Sequence, residues 1–272
     1  MTPPLVSCIC PTGGRRLLLE QALRYFARQT YEPRELVIVD GGQADAKFFP
    51  RPTEWIEGPP PTEWAPVRGA LVRYLHCAPE TTVGARRNLA VEHARGEIIL
   101  HWDDDDWYSD DRIEMQVAAM VKADRAKLCS VSKLWAYDFA RKIGWPYYGF
   151  ERLVFSGNTL GYWRTAWERI PFRDVQYAED TIFLHAHADT AGIVALNTER
   201  LTVYIRHRRN ITTTIEPAVN PTLTAEVRKL MGRDVEFYDA LAELFPPHVT
   251  NTTWHLPPVR NPKTGGWTAR QR

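Results

Sequence analysis

The sequence carries almost no net charge: 34 Lys and Arg stand against 33 Asp and Glu, a formal +1 with the eight His taken as neutral. Nucleic-acid grooves need a strong positive field and repeated stacking platforms, so the short basic stretch at residues 206–209 does not point to a nucleic-acid partner. Cysteine is scarce. Cys8 and Cys10 share one strand-like segment, while Cys77 and Cys129 stand apart, so neither a compact zinc-ligand set nor a secretory disulfide framework is present. No apolar run approaches the roughly 18 residues that span a bilayer, and MTPPLVSCICPTGG lacks a basic region followed by a long apolar stretch. The expectation is a cytoplasmic protein. Peripheral docking at the inner face of a membrane stays open, because it needs no spanning segment. Oligomeric state is not legible.

What is present suits a folded chain: 272 residues, 44% hydrophobic and 25% charged, enough for one large core or two tightly packed lobes. Residues 5–10 read as an apolar strand stopped by Pro11, residues 17–29 as a helix with Leu18, Ala22, Tyr25 and Phe26 on one stripe, and residues 35–39 as a second strand ending at Asp40-Gly41-Gly42. After a Pro-rich link at 49–66, strands are expected at 70–77 and 98–102, with a helix at 84–94 between them. Residues 128–137 read as a further strand, 179–188 as a helix, 193–196 and 201–205 as late strands, and 222–230 and 235–244 as helices. Strand-helix-strand order favours a right-handed α/β unit whose strand ends bring side chains to a common crevice.

The most informative segment is GEIILHWDDDDWY, a short hydrophobic strand that delivers Asp103, Asp104, Asp105 and Asp106 to one turn. Four adjacent carboxylates repel in a desolvated pocket, so a metal ion or an outward orientation is expected to relieve the cost. Hard oxygen donors suit Mg2+ or Mn2+. An exposed acidic turn is the plainer reading.

With VSCICPT at 6–12, LVIVDGG at 36–42, GARRNLA at 84–90 and AED at 178–180, this segment resembles the family 2 nucleotide-sugar glycosyltransferases of the GT-A fold. The resemblance implies an α/β fold with a mostly parallel, Rossmann-related sheet flanked by helices and an acceptor-side extension. It further implies a single catalytic domain over residues 1–215, followed by a helical extension and flexible tail over 216–272.

By the same resemblance, Pro11, Thr12 and Asp40 border the nucleotide, although Gly41 stands where a second acid is common. Taken alone, Pro11 and Asp40 are more often turn formers. Arg87 and Asn88 match the segment that supports the donor pocket, where Arg87 can pair with phosphate or with an acidic loop. Arg86 can face water. Asp103 and Asp105 fall in the principal donor positions, Asp105 as the metal ligand, with Asp104 beside them and Asp106 oriented toward the acceptor. Trp107 and Asn158 are expected on the acceptor side, with Trp145, Tyr147 and Trp163 as aromatic surfaces near the Gly157-Asn158-Thr159-Leu160-Gly161 turn. Asp180 is the expected general base and Glu179 its neighbour or substitute, though acids also favour a helix start without catalysis. His207 is expected to complete the metal shell, and Arg206 or Arg208 to meet the diphosphate.

The function implied is metal-dependent, inverting transfer of a sugar from a nucleotide diphosphate sugar, with a UDP-sugar the first choice, to a hydroxyl of a glycan, lipid or small molecule. Two alternatives stand beside it. A nucleotidyltransferase would carry a fuller glycine-rich, basic loop than PTGGRR, and a carbohydrate-binding scaffold would keep the fold without metal-dependent donor binding.

Overall fold

The computed structural model describes residues 2–42, 56–58, 71–123, 128–148, 156–188, 192–207, 210 and 219–244, with short strands at 259–260 and 267–268. Most of the Pro-rich link, Arg208 and most of the expected tail lie outside the described residues. The first half runs β1 (Val6–Thr12), α1 (Arg16–Arg28), β2 (Arg34–Asp40), β3 (Ile56–Gly58), β4 (Leu71–His76), α2 (Val83–His93), β5 (Ile98–His101), β6 (Trp107–Tyr108) and α3 (Arg112–Lys122). Then come β7 (Leu128–Val131), β8 (Lys133–Asp138), β9 (Ile143–Tyr148), a 3-10 turn at Gly157–Thr159, β10 (Gly161–Trp163), α4 (Arg164–Arg169) and α5 (Glu179–Ala188). β11 (Ile193–Leu196), β12 (Thr202–Arg206), α6 (Pro221–Met231) and α7 (Asp234–Leu244) complete the body.

An eight-stranded sheet has the order β11-β7-β10-β5-β1-β2-β4-β3, with β5, β1, β2 and β4 mutually parallel and β10 antiparallel to both neighbours. This is the α/β, GT-A-like arrangement expected. Every residue of β1 and β2 is buried, as strands covered on both faces must be. Successive side chains alternate between two cores: Cys8, Cys10, Leu36, Ile38 and Leu100 pack toward α1 and α3, while Ile9, Val37, Val39 and Ile99 pack toward α2 and α5. All four cysteines are free, and burial pushes the Cys8 thiol up to about 12.

Two expectations about strands need correction. β1 continues through Pro11 to Thr12. The Ile9 carbonyl accepts from Trp102 N–H (2.9 Å) and the Thr12 carbonyl from Gly41 N–H (3.0 Å), so residues 9 and 11 face β5. β5 ends opposite Ile9, and the N–H that proline lacks has no ladder partner to lose. Residues 128–137 form not one strand but two: β7 joins the large sheet, and after Ser132 the chain enters a second sheet ordered β6-β12-β8-β9.

That small sheet stands over the C-terminal end of β5. α6 covers it, with Val227 against Gly144, and α7 packs on α1 through Tyr238, whose hydroxyl meets that of Tyr25 at 3.2 Å. Val227, Met231, Val235, Tyr238 and Leu241 thus belong to the same core as α1. Among the described residues no helix is long and apolar enough to cross a membrane.

Candidate active site

β5 is wholly buried and ends at the four aspartates, none of which points simply into water. Each carboxylate finds its own partners. Asp103 accepts from Arg87 Nη2 at 3.2 Å. Asp104 accepts from Thr12 Oγ1 at 2.5 Å and from Arg15 Nε at 3.1 Å, and its second oxygen pairs with Arg15 Nη2. Asp105 Oδ2 meets Arg15 Nη1 at 2.6 Å and His207 Nε2 at 3.1 Å. Asp106 accepts from Ile205 N–H at 3.0 Å and from the Asn158 amide. Internal cations and amides therefore relieve the crowding, in place of outward rotation.

The electrostatics follow this sorting. Burial raises Asp104 to about 6 against the pull of Arg15, and burial with Asp105 and Asp103 nearby raises Asp106 well above the usual carboxylate range. Burial also acts on Asp105, but Arg15 and His207 outweigh it and hold that carboxyl below its ordinary value. Asp105 is thus the strongest anion of the turn.

Arg87 ties the acidic turn to α5. Its Nη2 holds Asp103, and its Nε donates to Glu179 Oε1 at 3.0 Å, so one buried guanidinium joins the acidic turn to the start of α5. Burial and neighbouring Asp180 raise Glu179 to about 7 despite Arg87. Asp180 Oδ1 takes Thr181 N–H at 2.6 Å, while Oδ2 accepts no hydrogen bond among the described residues. A Cβ on Gly157 would lie 1.5 Å from that Oδ2, so glycine there is what lets the carboxylate sit against the 3-10 turn. Tyr147 stacks on Tyr204 (centroids 5.4 Å apart). Burial raises both phenols, with Asp106 contributing at each.

The other expected residues have partners of their own within the protein. Asp40 Oδ1 accepts from Gly14 N–H (2.9 Å) and Gly42 N–H (2.7 Å), and Oδ2 from the Tyr74 hydroxyl (2.7 Å), so this carboxylate clasps the β1 and β2 turns together. Asn88 donates to Phe172 O and accepts from Trp167 Nε1, which ties α2 to α4 away from the aspartates. Trp107 is buried edge-on to Tyr25 and donates to Asp234 Oδ2 at 2.8 Å, a packing position with no open face. Arg206 lies 3.7 Å from Asp138 at the end of β12. Pro11 completes β1 beside Thr12.

Two arginines carry more of the site than their sequence context suggested. Arg86 does not face water: it is buried over Gly41, donating to Thr12 O (3.1 Å) and Pro79 O (3.0 Å). A Cβ on residue 41 would fall 2.2 Å from its Nη2, which explains the missing second acid. Arg15 bridges Asp104 and Asp105. The signal for it in the sequence was its position after Gly13-Gly14, between the end of β1 and the start of α1.

One ligand atom each from Asp103, Asp105 and Asp106 lie within 4.8 Å of one another. These are hard oxygen donors, and among the described residues the turn's four carboxylates pair with two guanidinium groups, Arg15 and Arg87. The donor set and charge balance fit a divalent cation of the Mg2+ or Mn2+ type.

A GT-A-like α/β sheet with an acidic turn at its central strand end defines the class, and comparison with known proteins agrees. The sequence pattern of glycosyl transferase family 2 matches residues 58–193, half of the chain, and the protein belongs to that family. An uncharacterized glycosyltransferase of Haemophilus influenzae is 26% identical over 122 residues, 45% of this chain and 44% of that protein. The putative colanic acid biosynthesis glycosyl transferase WcaA of Escherichia coli is 27% identical over 136 residues, 50% and 43% of the two chains. The chain thus spans less than half the length of these curated relatives. Among solved structures, S. aureus TarS 1–349 in complex with UDP-GlcNAc matches with TM-score 0.57 and 18% identity, covering 88% of this chain and 70% of that one. The mannosyltransferase PcManGT of Pyrobaculum calidifontis, in complex with GDP-Man and Mn2+, matches with TM-score 0.55 and 17% identity, covering 90% and 74%.

Proposed function

We propose that the protein is a metal-dependent, inverting glycosyltransferase that moves a sugar from a nucleotide diphosphate sugar to an acceptor hydroxyl. The observation that carries this reading is the Arg87 bridge, which joins the acidic turn to the start of α5, where Glu179 and Asp180 stand. Asp105, with Asp103 and Asp106, would hold Mg2+ or Mn2+. Bound there, the cation would neutralise charge developing on the leaving diphosphate.

The chain's own residues supply the rest. Asp180, with one oxygen uncommitted, is the base for the acceptor proton; an inverting displacement needs such a group on the acceptor side. Glu179, raised to about 7 and paired to Arg87, positions α5 rather than taking the proton. Asn158 holds Asp106, and the stacked Tyr147-Tyr204 pair offers an aromatic face to a sugar or acceptor ring. UDP- and GDP-sugars are the donors to test first, since the TarS and PcManGT complexes hold one of each.

Calorimetry with nucleoside diphosphates and nucleotide sugars, each with Mn2+, Mg2+ or chelator, tests the donor site. One nucleotide is expected to bind only with metal, and Asp105→Ala to abolish that binding while the protein stays folded. Absence of nucleotide binding by folded wild-type protein under every metal condition would overturn the reading. The anomeric configuration of the product, read by NMR, tests inversion.

A further inference from the structure

The acidic turn already holds a cation: the guanidinium of Arg15. It grips both oxygens of Asp104 through Nε and Nη2 and reaches with Nη1 to Oδ2 of Asp105, 2.6 Å away. That same Oδ2 meets His207 Nε2 at 3.1 Å, so one oxygen of the carboxylate best suited to hold a metal is taken by two nitrogen groups. A cation bound directly to this oxygen occupies the volume in which Nη1 now lies. Arg15 has somewhere to go, because it lines a cavity of about 170 Å3 with Gly14, Arg16, Leu18, Phe139 and His207. The guanidinium is planar and turns as one unit, so releasing Asp105 also releases Asp104, which keeps the Thr12 hydroxyl at 2.5 Å.

We propose that Arg15 is a tethered counter-ion that occupies Asp105 in the donor-free protein and exchanges with the divalent cation, its freed guanidinium then serving as a phosphate-binding group. This rests on the reading of the acidic turn as a metal-dependent donor site and adds a residue and an order of events to it. A guanidinium fork suits phosphate oxygens as well as carboxylates, so the exchange replaces one charge-assisted partner by another. The arrangement keeps the carboxylates together before the donor arrives. Its cost is weaker binding of metal alone.

This gives Arg15 opposite effects on two binding steps, which a merely structural residue would not produce. Mn2+ binding to the nucleotide-free protein, followed by electron paramagnetic resonance, is expected to tighten at least about tenfold in Arg15→Ala, the weight of one charge-assisted hydrogen bond. Binding of the nucleoside diphosphate at saturating Mn2+ is expected to weaken by about the same factor. Arg16→Ala removes the same charge one residue away, from a side chain paired with Glu20 at 2.5 Å, and is expected to leave Mn2+ binding as in wild type.

Unchanged or weaker Mn2+ binding in Arg15→Ala, or equal tightening in Arg16→Ala, would overturn the proposal and leave the donor-site reading intact. Failure of wild-type protein to bind Mn2+ with or without nucleotide would overturn both. Should Arg15→Ala not fold, the wild-type protein labelled with 15N at arginine provides the test. Mg2+ is expected to shift the Arg15 side-chain resonances, and their insensitivity to saturating Mg2+ would refute the exchange.

Discussion

Replacing Arg87 by Met keeps most of the side chain's volume and removes the one charge that both Asp103 and Glu179 lean on. Arg87 is 3% exposed, its pairs lie at 3.2 and 3.0 Å, and removing one partner of such a buried network costs about 3–5 kcal/mol. That cost should depend on pH in a defined direction. Glu179 has its folded value raised from 4.5 to about 7, so across that window the native state keeps a proton the unfolded chain has released. Wild-type stability therefore falls as pH rises from 4.5 to about 7, by about 3 kcal/mol from this group, and levels off above. Without Arg87 the folded value moves higher still and the window extends upward. Urea unfolding of wild type and Arg87→Met at pH 5 and pH 8 should show the larger difference at pH 8, by on the order of 1–2 kcal/mol. At pH 5 a protonated Glu179 no longer needs its partner. An equal difference at the two pH values, or one below about 1 kcal/mol at pH 8, would refute the account of Arg87 as the tie between the acidic turn and α5.

Gly157→Ala places a methyl group 1.5 Å from Asp180 Oδ2 and must displace that carboxylate. Turnover should drop about a hundredfold, the usual penalty of roughly 1 Å misplacement, with nucleotide affinity by calorimetry unchanged. Full turnover would remove Asp180 from the base role. Tyr74→Phe deletes the 2.7 Å hydrogen bond to Asp40 Oδ2 and should cost about 1.5–3 kcal/mol in urea unfolding, as hydrogen bonds to charged groups do. A loss under about 0.5 kcal/mol would show that the two glycine N–H groups alone hold Asp40.

The large sheet was legible because its strands are continuous apolar runs closed by Gly, Pro or Asp, a pattern that needs no knowledge of neighbours. The acidic turn was legible as a site for the same local reason. What each aspartate does was not, because four consecutive residues around a tight turn send their side chains to partners on elements far apart in sequence. Asp106 is defined by Asn158 and Ile205, Asp105 by Arg15 and His207, and none of these is near it in sequence. The second sheet escaped for a related cause: its pairings of β12 with β6 and β8 are long-range, and a run such as residues 128–137 shows no sign that its halves belong to different sheets. Asn88 and Trp107 sit in motifs that point to the cleft, yet their polar atoms are consumed by Phe172 and Asp234. Local pattern tells what chemistry a segment can offer; which partner claims it is decided by packing.

α7 has a consequence for how this chain comes to be folded. Asp234 at its start receives Trp107 Nε1 from the strand that leaves the acidic turn, and also Arg28 from the end of α1. On a ribosome the chain emerges N-terminus first, so the sheet and the aspartates are outside well before Asp234, Tyr238 and Leu241 have been made. Until then Tyr25 and Trp107 present an uncovered aromatic face, the kind of surface on which nascent chains associate wrongly. The last helix of the body is thus the closing piece of a core begun some two hundred residues earlier, with Tyr25 and Tyr238 separated by 213 positions along the chain. Emergence of α7, rather than of the sheet, is therefore the step that completes the packing around Tyr25 and Trp107.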